Sequence, residues 1–274
     1  MRKSLFFPLT TYPDATPEQV VGNAADFAAG QDATVTSLVI DVSMPNVANP
    51  LSIPLIDARQ MALEAEGLSR SNGLQLDELL RESCKARSVD VESATVRLDL
   101  TAIGDAVAAA ARLHDLTLVA PGAEFRPLAE AVIFGSGRPV LLVPRTESVG
   151  AGDHVAIAWD GGRAAARALG DAMWLVEAAS RVSILFAGRD KAVSQTAAGE
   201  LSEAFGKRGI PAELRPVDAA GRGIGDALQA EAIAAGAKLM VMGGFGHSRM
   251  RDFVLGGATA GVLSDLRLPV LISH

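Results

Sequence analysis

The chain has 274 residues, a length that suits two domains of about 100 to 150 residues each. Hydrophobic residues make up 49% of it and charged residues 21%, which is a globular composition and excludes a largely disordered protein. The formal net charge of -7 argues against a nucleic-acid groove, because phosphate backbones require clustered Lys and Arg. Aromatic residues reach only 4%, which favours small-residue helices on aliphatic strands and hence the α/β class.

Short apolar runs in the first half predict strands with helices between them. The predicted strands lie near residues 4–9, 34–42, 91–98, 116–120 and 140–143. Continuous apolar runs indicate burial on both faces, as in a parallel sheet, and parallel strands require crossover helices. The stretch 43–56 is rich in Pro, Asn and Ser, so we predict a loop there.

The second half shows the same alternation. Its predicted strands lie near residues 154–159, 181–187, 212–217, 238–242 and 270–273. The helices predicted between them span about residues 162–179, 192–208, 225–235 and 255–266.

Two short repeats link the halves. Pro-Val-Leu occurs at 139–141 and again at 269–271, and Ile-Gly-Asp-Ala occurs at 103–106 and 224–227. The sequence therefore predicts two tandem Rossmann-like domains, residues 1–149 and 150–274. Each is expected to be an open five-stranded, mainly parallel sheet with helices on both faces.

Several site classes are not expected. No apolar run reaches about 18 residues, so no membrane-spanning segment is predicted. Cys84 is the single cysteine and cannot form an intramolecular disulfide, which fits a reducing compartment, so we predict a cytoplasmic protein. His114, His154 and His274 are scattered without metal-ligand spacing, so no metal site is predicted.

The strongest motif follows the fourth strand of the second half. No G-x-x-x-x-G-K-[ST] loop occurs, and no G-x-G-x-x-G follows the first strand of either half. Glycines instead stand at Gly243, Gly246 and Gly256, and a helix is predicted to begin beside the last of them. Ligands bind beyond the carboxyl ends of parallel strands, and helix N-termini favour anions. The pattern indicates a phosphate-binding edge, although glycines also serve simple turns.

This spacing is similar to the G-x2-G-x9-G motif of the nucleotide-binding universal stress proteins. Residues 156–161 also resemble the family's first strand, which ends in Asp-Gly-Ser. In this resemblance Asp160 aligns with the family's base-contacting aspartate. Capping of the next helix is an equal alternative for Asp160. The resemblance covers essentially the whole chain as a tandem pair. It implies an adenine nucleotide, ATP, ADP or AMP, with or without Mg²⁺, held by Ala158, Trp159, Asp160, Phe186, Ala187, Met242, Gly243, Gly246, Gly256, Gly257, Ala258 and Thr259.

The chain departs from the family pattern in two places. Gly257 stands where nucleotide binders have Ser or Thr, and Thr259 matches a second phosphate-side threonine that compensates in part. In the first half the glycine spacing is absent, and Thr10 to Tyr12 follow the first strand in place of the aspartate, with Asp14 nearby. We therefore predict no family-type nucleotide site in residues 1–149. His247, Arg249 and Arg251 are secondary phosphate-contact candidates in the second half.

No set of residues indicates catalysis, since there is no nucleophile elbow and no placed Ser, His and Asp trio. The first interpretation is a stress-response protein that binds an adenine nucleotide and acts by binding or regulation, with slow ATP hydrolysis left open. The alternative is a tandem structural or protein-interaction module without a nucleotide.

Strands 140–143 and 270–273 are expected to meet around an approximate two-fold axis, which makes the chain an intramolecular pseudo-dimer. A homodimer of whole chains is left open.

Overall fold

The computed structural model describes residues 2–45, 58–146, 153–187, 191–219, 221–244 and 257–274. Most of the predicted loop 43–56 lies outside these ranges, and so does the predicted domain boundary near residue 149. The boundary therefore stays a prediction.

The first half alternates strands and helices as predicted. A short 3-10 turn at Leu100–Ala102 precedes its third helix. Its elements are β1 (Ser4–Leu9), α1 (Glu18–Gly30), β2 (Thr34–Ser43), α2 (Ala58–Ala86), β3 (Val91–Asp99), α3 (Ile103–Ala111), β4 (Leu116–Val119), α4 (Arg126–Gly135) and β5 (Val140–Leu142).

The second half repeats this order. Its elements are β6 (His154–Ala158), α5 (Arg163–Ala178), β7 (Arg181–Phe186), α6 (Lys191–Lys207), β8 (Ala212–Pro216), α7 (Ile224–Ala234), β9 (Leu239–Gly243), α8 (Gly257–Ser264) and β10 (Val270–Ser273). The predicted strands are confirmed to within a residue or two at each end. The last helix ends at Ser264, two residues before the predicted end, and its predicted start at residue 255 lies outside the described residues.

The described strands form one sheet in the order β3-β2-β1-β4-β5-β10-β9-β6-β7-β8. Neighbouring strands are parallel within each half. The halves meet through β5 and β10, which pair antiparallel with Leu141 opposite Leu271. The predicted meeting of these two strands is confirmed, and it joins two copies of a 3-2-1-4-5 strand order into one sheet.

Alternating side chains divide the core between the two faces of the sheet. One face packs against α1, α2, α5 and α6, and the other against α3, α4, α7 and α8. In β9, for example, Leu239 and Val241 face the first layer whereas Met240 and Met242 face the second. Helices therefore cover both faces, as predicted.

Two further expectations concern single features of the chain. No helix in the described ranges is both long and apolar enough to cross a membrane. Cys84 is fully buried in α2, and this burial raises the pKa of its thiol to about 11. The thiol is therefore neutral at physiological pH and behaves as a small core residue.

Candidate functional site

A cavity of about 200 Å³ opens at the carboxyl ends of the central strands of the second half. It lies at β6, which has β7 on one side and β9 on the other. The chain therefore leaves β6 toward one edge of the sheet for β7 and β8, and then crosses back to the other side of β6 for β9. Open α/β sheets bind ligands at such a switch point. Helices α7 and α8 form its opposite wall.

The floor of the cavity consists of three strand residues at one level of the sheet. Ala158 pairs in register with Leu185 on one side and with Met242 on the other. All three face the α7 and α8 layer. An apolar floor of this kind offers a flat surface to a planar group.

The wall formed by α7 and α8 depends on glycines at the helix crossing. A Cβ atom on Gly225 would overlap the carbonyl oxygen of Ala258, and one on Gly261 would lie 3.3 Å from Cα of Gly225. Buried Gln229 ties the same helices together: its side-chain N–H donates to the carbonyl of Asp265, and its oxygen accepts the backbone N–H of Arg267. The two helices are therefore held in backbone contact beside the cavity.

Gly243 ends β9 against the first turn of α5. A Cβ atom there would lie 2.5 Å from the backbone C of Ala164 and from the N of Ala165. No side chain fits between strand and helix, so this glycine has a packing role that is independent of any ligand.

Asp160 follows β6 at the mouth of the cavity. Its carboxylate accepts the backbone N–H of Gly162 at 2.8 Å, and Gly161 between them has φ of 71°, a left-handed conformation that favours glycine. The carboxylate thus shapes the turn that leads into α5, although Gly162 and not Asp160 is the N-cap. Asp160 is exposed, and it lines the cavity in addition to this turn role.

Trp159 is held on both its backbone and its ring. Its backbone N–H donates to the carbonyl of Leu185 at 2.8 Å, which extends the sheet beyond β6. Its indole N–H donates to the carbonyl of Ala197 in α6 at 3.1 Å. The ring is therefore fixed next to the cavity and can report on its contents.

The first turn of α8 supplies Gly257, Ala258 and Thr259 to the cavity. Thr259 is 2% exposed, whereas Gly257 is exposed, and among the described residues a Cβ atom on it would meet Ile224, at 3.9 Å. The N-terminal end of a helix carries partial positive charge and so favours an anion.

The structure brings together nine of the twelve predicted site residues around this cavity. Gly246 and Gly256 lie outside the described residues, as do the secondary candidates His247, Arg249 and Arg251. The nine are Ala158, Trp159, Asp160, Ala187, Met242, Gly243, Gly257, Ala258 and Thr259.

Phe186 does not line this cavity, so its predicted contact with the base stays a prediction. Side chains alternate along β7, so Leu185 faces the cavity while Phe186 faces the α5 and α6 layer. There Phe186 lines a separate cavity of about 400 Å³ beside β8.

Sequence reasoning missed five residues of the cavity wall, namely Ala164, Ala165, Leu185, Ile224 and Leu228. A period-two assignment of β7 would have found Leu185. Ile224 and Leu228 are four apart on α7, so helical spacing would have paired them on one face. Ala164 and Ala165 carry no distinctive signal.

Within the described ranges, no group of three or more His, Cys, Asp or Glu side chains is arranged to hold a metal ion.

No protein-family model matches the chain, and no curated protein matches it. Among solved structures, it is similar to a universal stress protein from Archaeoglobus fulgidus, with 17% identity and a TM-score of 0.70, over 98% of this chain and 97% of that one. The chain has the universal stress protein fold. It is also similar to a functionally unknown protein from Pseudomonas aeruginosa, with 15% identity and a TM-score of 0.58, over 99% of this chain and 92% of that one.

The match to the universal stress protein fold extends over both halves, because it covers 98% of the chain. The fold expected from the glycine spacing and from residues 156–161 is thus confirmed. Sequence identities of 15–17% show the fold alone.

Proposed function

We propose that this protein is a tandem universal stress protein that binds ATP or a related adenine nucleotide in its C-terminal half. It acts in the stress response by binding and regulation rather than by turnover, in the cytoplasm. The observation that carries the proposal is the cavity at the switch point, where nine residues chosen from sequence alone meet.

The cavity fits the base better than the whole nucleotide. Its volume of about 200 Å³ is below the range of about 300–1,000 Å³ typical of complete ligand sites. The apolar floor of Ala158, Leu185 and Met242 suits a planar ring, and the exposed carboxylate of Asp160 can accept a hydrogen bond from it. Phosphates would lie toward the N-terminal end of α8, where the helix carries partial positive charge.

One observation favours the alternative, a structural or protein-interaction module without a ligand. Gly243 is required for packing against α5, so its presence does not by itself indicate a phosphate loop. Gly257 also lacks the hydroxyl that the resemblance assigns to phosphate. A hydrogen bond to a charged group contributes about 1.5–3 kcal/mol, so this absence weakens the site without abolishing it.

Isothermal titration with ATP, with and without Mg²⁺, tests the proposal. Saturable one-to-one binding is expected, and Ala158→Leu should abolish it by filling the floor of the cavity. Ala109→Leu on the exposed side of α3 is the matched control and should leave binding unchanged. Gly243→Val would not serve, since it disrupts packing.

No heat with ATP, together with no rise in melting temperature at millimolar ATP, would favour the ligand-free module. Binding that survives Ala158→Leu would place the nucleotide elsewhere. Multiple-turnover release of phosphate would show that the protein is also an enzyme.

A further inference from the structure

A second cavity, of about 380 Å³, lies at the equivalent position in the first half. It is bounded by the segment after β1, by the beginning of α3 and by the beginning of α4. The same Ile-Gly-Asp repeat contributes to both cavities, through Ile103 here and Ile224 in the second half. The two cavities are therefore counterparts in a duplicated fold.

The first-half cavity is unsuited to phosphate. Its wall holds the carboxylate of Glu124 immediately before α4, and Pro127 in the first turn of that helix has no N–H to offer. No Lys, Arg or His is among the described residues that line it. Arg145 lies nearby, but its guanidinium is bonded to Glu124 and to the carbonyl of Pro121.

The same wall is suited to a cation. The backbone N–H of Glu124 and the Arg145 guanidinium hold the pKa of the Glu124 carboxyl below its ordinary value, so it remains charged. Arg145 balances that charge. Asp14 also lines the cavity, and within the described part of the chain it makes no hydrogen bond or ion pair, so its negative charge is uncompensated.

Aromatic and aliphatic groups complete the cavity. Tyr12 and Phe125 contribute rings, whose faces attract cations, and the Arg145 guanidinium already lies 5.7 Å from the Phe125 ring centre. Leu100, Ile103 and Leu128 supply apolar surface. We infer that the first-half cavity binds a small organic cation, with an ammonium group directed at Asp14 and an apolar body against these side chains.

This inference is independent of the nucleotide proposal, and the chain provides a direct reporter for it. Tyr12 is the single tyrosine, so protein labelled with 3-fluorotyrosine gives one fluorine NMR resonance from within the cavity. The probe is 2-phenylethylammonium, compared with neutral 2-phenylethanol and anionic 3-phenylpropionate. We expect a saturable shift with the cation, a weaker one with the alcohol and none with the anion.

Charge variants locate the ammonium group. Asp14→Asn should weaken binding of the cation about threefold, and Asp14→Lys about tenfold, because an exposed ion pair contributes up to about 1 kcal/mol. Asp160→Asn, which removes the carboxylate charge at the second-half cavity, is the matched control and should leave binding of the cation to the first-half cavity unchanged. Higher salt should weaken binding of the cation and leave the alcohol unaffected.

Three results would overturn the inference. The first is a Tyr12 resonance that does not shift when the cation is added to about 10 mM. A dissociation constant on the order of 10 mM is the weakest affinity expected for so small a ligand. The second is equal binding of cation and alcohol. The third is an Asp14→Lys variant that folds normally, by its melting temperature, and binds the cation as well as the parent does.

Discussion

The two halves of the chain share a strand order and a cavity position, and they differ in what precedes the last helix. In the second half, the sequence between β9 and the described start of α8 at Gly257 contains three further glycines, Gly244, Gly246 and Gly256. In the first half, β4 and α4 are separated by only six residues, and Glu124 and Pro127 stand near the helix start. The scaffold is common to both halves, and we propose that the side chains near the last helix set which charge each cavity accepts.

The largest expected effect concerns the helix crossing that frames the second cavity. Gly225→Ala should destabilise the protein by about 2 kcal/mol, because the new Cβ would overlap the backbone oxygen of Ala258 and force α7 away from α8. The equivalent Gly104→Ala meets only the Cβ of Ala131, at 3.0 Å, and should cost less than about 1 kcal/mol. Urea unfolding measures both.

Gly22→Ala is the control for helix propensity, since it lies in α1 with no atom within 4 Å of its new Cβ. It should stabilise the protein by about 0.5–1 kcal/mol. Equal losses from Gly225→Ala and Gly104→Ala would contradict the difference in helix contact.

Restoring the missing hydroxyl should sharpen the contrast between the cavities. Gly257→Ser should raise ATP affinity about tenfold, equivalent to about 1.4 kcal/mol, because its hydroxyl can donate to phosphate. Among the described residues, a Cβ at position 257 meets nothing closer than Ile224, at 3.9 Å. Gly257→Ala adds the same carbon without the hydroxyl. Isothermal titration that finds the same gain for both variants would assign the effect to helix stabilisation.

Thr259→Val should lower ATP affinity about fivefold, or about 1 kcal/mol, by removing the second hydroxyl of the α8 turn. The matched control is Thr117→Val in β4, which is fully buried and whose hydroxyl has no hydrogen-bond partner within the described residues. The control should leave affinity unchanged and melting temperature equal or higher, since a buried unpaired hydroxyl is replaced by a methyl group. Unchanged affinity in Thr259→Val would remove this threonine from the site.

The smallest expected effect concerns Glu124. Because the folded-state pKa of this carboxyl is lowered, its charge stabilises the protein above the unfolded pKa, and that contribution is lost as the pH falls through the folded pKa. Glu124→Gln should therefore reduce the free energy of unfolding by about 0.5 kcal/mol at neutral pH and by nothing in acid. A pH series of melting curves measures this difference, and a loss that persists in acid would show a role other than charge.

Much of the fold was predictable because duplicated sequence repeats the same strand and helix signals. Pro-Val-Leu marked β5 and β10, and the meeting of these strands was expected from treating the chain as two joined copies. The structure adds that they pair antiparallel. The face of the sheet on which each strand residue lies was harder to predict. Phe186 was assigned to the site, whereas Leu185, one residue earlier in β7, lines the cavity, and in a strand one residue reverses the face.

The packing roles of glycines were not predictable from sequence. Gly225 was predicted only to begin a helix, yet it is the contact point of α7 with α8. Gly243 was predicted to contact the phosphates of a ligand, yet its close packing against α5 is visible only in the structure. A single sequence shows where a glycine stands and not which backbone approaches it. The Glu124 and Arg145 pair was missed because its partners are separated in sequence by a strand and a helix.

The central claim is that adenine nucleotide binds in the second half and is excluded from the first. Trp159 lines the second cavity, Trp174 lies elsewhere on α5, and Tyr12 lines the first cavity, so fluorinated Trp and Tyr give three fluorine NMR reporters in one chain. Trp159→Phe assigns the two Trp resonances. Titration with ATP should shift the Trp159 resonance saturably and leave those of Trp174 and Tyr12 in place. A Trp159 resonance that does not move at millimolar ATP, or a Tyr12 resonance that does, would contradict the account.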